Sequence, residues 1–114
     1  MIRLAIWLIF ALVLSACGAG TSVTFQNQSE YQLEAVEVSG SGFKASLGVV
    51  APGQSLTAKV YPSGESGLAV SFMASGQSYR YEPQDYFEGG GMYKVSATVN
   101  RDLTVSVHSD IRPY

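Results

Sequence analysis

From Val23 onward the chain alternates between apolar and polar residues with a period of two, and clusters of Gly, Pro, Ser or Asn interrupt this alternation every 8 to 12 residues. Such alternation is typical of half-buried β-strands, and the interruptions are typical of turns. No window of ten residues shows the 3.6-residue period of an amphipathic helix. The pattern therefore predicts an all-β domain with strands near 23–27, 31–39, 43–50, 55–61, 67–73, 77–82, 91–100 and 103–108.

The alternation is clearest in the last two predicted strands, which Asn100-Arg101-Asp102 joins as a hairpin. The apolar positions of the segments 56–61 and 68–73 are expected to supply the facing half of the core. The core-facing residues predicted for the final hairpin are Tyr93, Val95, Ala97, Val99, Leu103, Val105 and Val107.

Three local features predict irregular backbone. The parity of the apolar residues changes within 31–39, and a β-bulge near Ala35 would reconcile the two halves. Ala51-Pro52-Gly53-Gln54 fits a type II turn, because Pro fixes φ at the first central position and Gly accepts a positive φ at the second. Ser75-Gly76 predicts a hairpin turn between strands that end at Met73 and begin at Gln77.

Seven or eight short strands in a domain of this size predict a small antiparallel β-sandwich of two sheets. A small closed barrel is the alternative. The run Gly91-Met92-Tyr93-Lys94-Val95 resembles the tyrosine corner of immunoglobulin-like sandwiches, which implies the same architecture. The cysteine pair and core Trp of true immunoglobulin domains are missing, so the resemblance extends to the architecture alone.

The first 17 residues have the three parts of a secretory signal. Met1 to Arg3 carry a positive charge, Leu4 to Leu14 are eleven uninterrupted apolar residues, and small residues follow. The apolar run is shorter than the roughly 20 residues that a spanning helix needs. Leu14-Ser15-Ala16-Cys17 resembles the lipobox of bacterial lipoproteins.

The lipobox resemblance implies a diacylglyceryl thioether on Cys17, cleavage after Ala16, and a further acyl chain such as palmitate on the new amino terminus. Two or three chains make membrane attachment stable. The expected organisation is a signal peptide at 1–16, a lipidated Cys and short tether at 17–22, and a β-sandwich at 23–114. Gly18 stands where an Asp would signal inner-membrane retention, which favours the outer membrane. An ordinary secretory signal with a free Cys17 thiol is the alternative.

The composition narrows the chemistry. A net charge of −2 with seven basic residues argues against nucleic-acid binding. One Cys and one His allow neither an internal disulfide nor an ordinary zinc site. The parity of His108 places it toward solvent, so no base for a serine hydrolase is expected, and no catalytic residue is predicted. Glu82, Asp85 and Glu88 are expected in a solvated acidic loop, with no metal and no cofactor apart from the covalent lipid.

Tyr79, Arg80, Tyr81, Tyr86 and Phe87 form the strongest candidate binding cluster, because aromatic rings beside a guanidinium are favoured at recognition surfaces. Tyr79 and Tyr81 share one face of their strand and are either binding residues or cross-strand filler. Tyr86 and Phe87 precede three glycines and are expected in an exposed loop, as an apolar patch. The sequence thus predicts a non-enzymatic, membrane-anchored module that contacts an envelope protein.

Two other functions remain open. Ala74-Ser75-Gly76-Gln77-Ser78-Tyr79 resembles the A-S-G-x-x-Y element of membrane-bound lysozyme inhibitors, and this resemblance implies that Ser75 and Lys94 enter a hydrolase cleft. The disulfide usual in that family cannot form here, since the mature domain has no Cys pair. A related possibility is an exclusion factor that blocks a surface receptor. The other function is a glycan or peptidoglycan binder that stacks Tyr81 or Tyr86 on sugar rings.

Overall fold

The computed structural model describes residues 20–88 and 93–111, which form eight β-strands. The strands are β1 (Thr21–Asn27), β2 (Leu33–Gly40), β3 (Phe43–Val50), β4 (Ser55–Val60), β5 (Glu65–Ala74), β6 (Gln77–Glu88), β7 (Tyr93–Val99) and β8 (Val105–Ile111). They build a first sheet of order β4-β1-β7-β8 and a second sheet of order β3-β2-β5-β6. The predicted all-β sandwich is confirmed. The predicted signal peptide, Cys17 and the three glycines after Glu88 lie outside the described residues.

Neighbouring strands pair antiparallel except β1 and β7, which are parallel. In an immunoglobulin domain the second and third strands belong to different sheets. Here β2 and β3 pair within the second sheet. The domain therefore shares the two-layer architecture of immunoglobulin domains but not their strand order. In the part of the chain that the structure describes, no helix is long and apolar enough to cross a membrane.

The core lies between the sheets and is built from the inward face of every strand. Val23 and Phe25 from the first sheet and Leu33, Val38 and Leu68 from the second are fully buried. In β7 the inward positions are buried or half-buried and Lys94 is exposed, while His108 in β8 is exposed. The predicted alternation of the final hairpin is thus confirmed.

The three predicted irregularities are confirmed as well. Ala35 has a φ of +50°, and the pairing of β2 with β5 shifts register between Glu34 and Glu37. Gly53 has a φ of +79°, and the Gln54 N–H donates to the Ala51 carbonyl at 3.0 Å. The residues 75–76 both have positive φ and connect β5 to β6 as a two-residue hairpin.

Strand β6 is longer than the sequence predicts. The expected end of this strand at 82 and the expected acidic loop that contains Glu82, Asp85 and Glu88 are wrong, since β6 continues from Gln77 to Glu88. Its pairing with β5 shifts register twice, once on either side of Gln84, and Asp85 has a φ of +62°. These bulges, and the position of β6 at a sheet edge, accommodate Pro83, which cannot donate a ladder hydrogen bond.

Candidate functional site

Strands β6 and β8, the adjacent edges of the two sheets, are joined by side-chain hydrogen bonds. The Tyr81 hydroxyl donates to the Leu103 carbonyl at 2.6 Å. The Ser109 N–H donates to the Asp85 carboxylate and the Ser109 hydroxyl donates to the Tyr86 carbonyl, both at 2.7 Å. Two candidate positions from the sequence, Tyr81 and the acidic Asp85, therefore close one side of the sandwich.

The rings of Tyr79 and Tyr81 pack at the margin of the core. Both stack on Phe72, with ring centroids 5.2 and 6.3 Å from its centroid. Burial of the phenol is the main cause that raises the pKa of Tyr81, and the negative charge of Asp102 raises this pKa further. Of the two interpretations that the sequence left open, the structure favours cross-strand packing for these tyrosines. Both rings are half-buried, so each has only part of its surface available to a ligand.

Phe87 is fully buried, so its assignment to an exposed apolar patch is wrong. Its ring lies 6.1 Å from that of Phe43 and 6.5 Å from that of Tyr93, measured between centroids. The reason is the continuation of β6. Alternation along the strand sends Phe87 into the core and Tyr86 to the opposite face.

Tyr86 is 46% exposed, but carboxylates engage its phenol. The hydroxyl donates a hydrogen bond to Glu88, and a Glu65 oxygen lies 3.4 Å away. The hydrogen bond to Glu88 raises the pKa of Tyr86, and the negative charge of Glu65 adds to this effect. Glu65 and Glu88 are directly paired across β5 and β6, a position in which two negative charges repel each other. The phenol of Tyr86 contacts both carboxylates.

Among the predicted binding residues, Arg80 is the one whose side chain is exposed beside open hollows in the surface. It is exposed on the outer face of the second sheet and borders three adjoining hollows of about 400, 80 and 280 Å³. The small side chains of Ser39, Ala69 and Ser71 leave space between the larger residues that surround these hollows. Among the described residues, no carboxylate lies within ion-pair distance of Arg80.

The exposed apolar side chain of Met73 continues this surface toward the β5–β6 hairpin. Met73 is 38% exposed and Val49 is 53% exposed. Met73 pairs with Glu34, and Val49 lies across from the Ala35 bulge, so the bulge separates the two side chains. We call the surface lined by Ser39, Ala69, Ser71, Met73 and Arg80 the Arg80 face. Sequence reasoning missed Met73 as a site residue, although it is an apolar residue at an outward position of β5.

The rim of the Arg80 face is acidic. Glu65 and Glu82 border the largest hollow, and Glu37 borders the smallest. Glu37 also forms an exposed ion pair with Lys44 at 3.8 Å. The face thus combines one unpaired guanidinium, apolar side chains and carboxylates, without a deep pocket.

The structure does not bring together the two residues that the lysozyme-inhibitor resemblance points to. Ser75 lies in the hairpin turn that precedes β6. Lys94 pairs with Asp110, whose neighbour Ser109 contacts Asp85 near the far end of β6. Ser75 and Lys94 therefore lie toward opposite ends of the sandwich.

The groups considered for catalysis or metal binding are dispersed. His108 contacts Asp110, with Nε2 and Oδ1 3.2 Å apart on the exposed surface. The Asp85 carboxylate accepts backbone N–H groups of Tyr86 and Ser109. Within residues 20–88 and 93–111, no three His, Cys, Asp or Glu side chains lie close enough to hold a metal ion.

Comparison with known proteins supports the fold. No family model matches the chain, and no curated protein is significantly similar to it. A protein from Eubacterium rectale, whose structure was determined by NMR, is similar in fold with a TM-score of 0.60 at 13% sequence identity. The similarity covers 85% of this chain and 94% of that one. At this identity the likeness concerns the arrangement of strands alone.

Proposed function

We propose that this chain is a lipid-anchored bacterial lipoprotein that acts as a non-enzymatic interaction module at the cell envelope. Its partner is an envelope protein that binds the Arg80 face. The anchor is the lipidated Cys17 of the Leu14–Cys17 lipobox, and Gly18 favours the outer membrane. The observation that carries the binding proposal is the position of Arg80, unpaired among the described residues, beside hollows that continue to exposed Met73.

A protein partner suits this surface better than a glycan. Arg and Met are both enriched at protein interfaces, and an arginine without an intramolecular partner is available for a bidentate contact with a carboxylate. A glycan site would need well-exposed flat aromatic faces, whereas the rings of Tyr79 and Tyr81 pack against Phe72 and are only partly exposed. The acidic rim favours a partner that surrounds the contacting carboxylate with basic groups.

Site-specific photo-crosslinking in intact cells tests the binding proposal. A probe at Met73 should capture one protein, and a probe at Thr104, on the exposed β7–β8 turn, should not. Arg80→Ala should abolish capture by the Met73 probe and leave the melting temperature unchanged. Equal capture from both positions, or capture that survives Arg80→Ala, would contradict the proposed surface. Recovery of glycan-bearing fragments would instead support a wall binder.

The anchor is tested separately. Cys17→Ser should release the protein from the membrane fraction, because the thioether can no longer form. Metabolic labelling with an alkyne fatty acid should mark the wild-type protein and not the variant. A wild-type protein that carries no fatty-acid label, or a Cys17→Ser variant that keeps the label, would exclude the lipoprotein assignment.

A further inference from the structure

The chain enters the sandwich at a corner that carries two lysines and an exposed tyrosine. Gly20, the first described residue, lies against β4 and the residue that follows it. A Cβ at position 20 would lie 2.8 Å from Lys59 Cγ and equally close to Tyr61 Cε1. Tyr61 is 59% exposed. The segment that leads from Cys17 into the domain therefore arrives beside these two side chains.

The second lysine lies on the same face of the first sheet. Ser22 pairs with Lys59 on β4 and with Lys94 on β7. Directly paired residues share one face of a sheet, with Cβ atoms about 5 Å apart. Lys59, Ser22 and Lys94 thus form one row on the outer face, and both lysines are exposed. We call Lys59, Tyr61 and Lys94 the lysine corner.

The ammonium groups of the corner are available to an external anion. Within the described residues, neither Lys59 nor Lys94 lies within ion-pair distance of a carboxylate. Asp110 is opposite Lys94 in register, but its carboxylate contacts His108 at 3.2 Å. Glu65 and Glu88 pair with each other in the second sheet, which is the other layer of the sandwich.

We propose that the lysine corner docks on the anionic phospholipid headgroups of the membrane that holds the anchor. This inference rests on the lipidation proposed above. Three residue steps separate Cys17 from Gly20, a reach of at most about 11 Å. The corner is therefore held at the bilayer surface, where lysines are attracted to anionic lipid and tyrosine favours the headgroup region.

Docking through the lysine corner sets the orientation of the domain. The corner belongs to the first sheet, so contact with lipid turns the outer face of the second sheet away from the bilayer. The Arg80 face then points toward the compartment that contains its partner. The hydroxyl-bearing outer face of the first sheet, where the Thr24 and Thr57 hydroxyls are 3.1 Å apart, lies nearest the headgroups.

Lysine footprinting of the lipidated protein tests this orientation with an internal control. The chain contains three lysines, and Lys44 lies on the second sheet with its side chain 68% exposed. The protein is reconstituted in vesicles with 30% phosphatidylglycerol, acetylated with a water-soluble ester, and analysed by mass spectrometry. Relative to detergent, acetylation of Lys59 and Lys94 should fall at least threefold while that of Lys44 is unchanged. Equal protection of all three lysines, or of none, would overturn the proposal.

Charge reversal gives an independent test. Lys59→Glu and Lys94→Glu are introduced together into the Cys17→Ser protein, which lacks the anchor. This variant should bind phosphatidylglycerol vesicles at least 25-fold more weakly than Cys17→Ser alone, since each basic residue at the membrane surface contributes about a fivefold factor in affinity. Lys44→Glu/Arg101→Glu has the same net charge and should bind like the parent. Equal loss in the two double variants would overturn docking at the corner. A wild-type protein without lipid label would refute the anchor instead, so the two failures are distinguishable.

Discussion

The Tyr81 hydroxyl donates a hydrogen bond to the Leu103 carbonyl at 2.6 Å and so links β6 of the second sheet to the turn before β8 of the first. Tyr81→Phe keeps the ring that stacks on Phe72 and removes only this donor. The free energy of unfolding should fall by about 1 kcal/mol, the usual net value of one hydrogen bond. Urea unfolding measures the loss. Tyr79→Phe is the matched control, because its hydroxyl bonds an exposed Gln77 side chain, and it should change stability little.

Truncation of two neighbouring residues of β6 should lower stability by very different amounts. Phe87 is fully buried, so Phe87→Ala should lower the free energy of unfolding by about 3–5 kcal/mol, as large-to-small core changes do. Tyr86→Ser removes a half-exposed side chain and should lower it by less than about 1 kcal/mol. Thermal melts of the two variants measure the difference. Similar losses in both would place the two side chains in similar environments and contradict the register of β6.

Asn27 is fully buried and uses all its hydrogen-bonding groups. Its Nδ2 donates to the carbonyls of Tyr31 and Val50 at 2.8 and 3.1 Å, and its Oδ1 accepts the N–H and hydroxyl of Ser29 at 3.0 and 2.7 Å. Asn27→Ala leaves several of these groups without partners and should cost about 3 kcal/mol or more in unfolding free energy. Gln26→Ala, one residue earlier and facing outward, should cost far less.

The bulge at Ala35 holds an L-residue at a φ of +50°, a conformation that costs about 1–2 kcal/mol for residues other than Gly. Ala35→Gly removes this cost but increases the conformational entropy of the unfolded chain. The free energy of unfolding should therefore rise by about 0.5–1 kcal/mol. Ala45→Gly lies in the regularly paired part of β3 on the same sheet and should be destabilising. Denaturant midpoints that shift the same way in both variants would contradict the assigned bulge.

Asp102 accepts the Thr104 hydroxyl at 2.6 Å and the Thr104 N–H at 3.1 Å, and these bonds lower the pKa of its carboxyl. A folded pKa below the unfolded value contributes stability above the unfolded pKa of about 4, and the contribution is lost as pH falls through the folded value. Thr104→Val should therefore destabilise the protein more at pH 7 than at pH 2.5, as denaturant titrations at both pH values would show. Thr57→Val removes a bond between neutral hydroxyls, so its effect should not depend on pH.

Much of the fold is determined by the sequence alone, because the signals are local. The two-residue alternation in 93–107 fixes which side chains face the core, and Pro52-Gly53 and Ser75-Gly76 fix turns through their backbone preferences. The change of parity around Ala35 predicts its bulge for the same reason. The resemblance of Leu14–Cys17 to a lipobox also rests on adjacent residues, and both the lipobox and the anchor that it implies stay predictions.

Only the tertiary structure decided which outward residues form a common surface. Alternation identifies Met73 and Arg80 as outward-facing, but their meeting beside Ser71 depends on the register of β5 against β6. That register includes two bulges, which keep β6 in the sheet past Pro83 and turn Phe87 into the core. Bulges and register are set by pairing with a partner strand distant in the sequence, so no local pattern in 83–88 could reveal them.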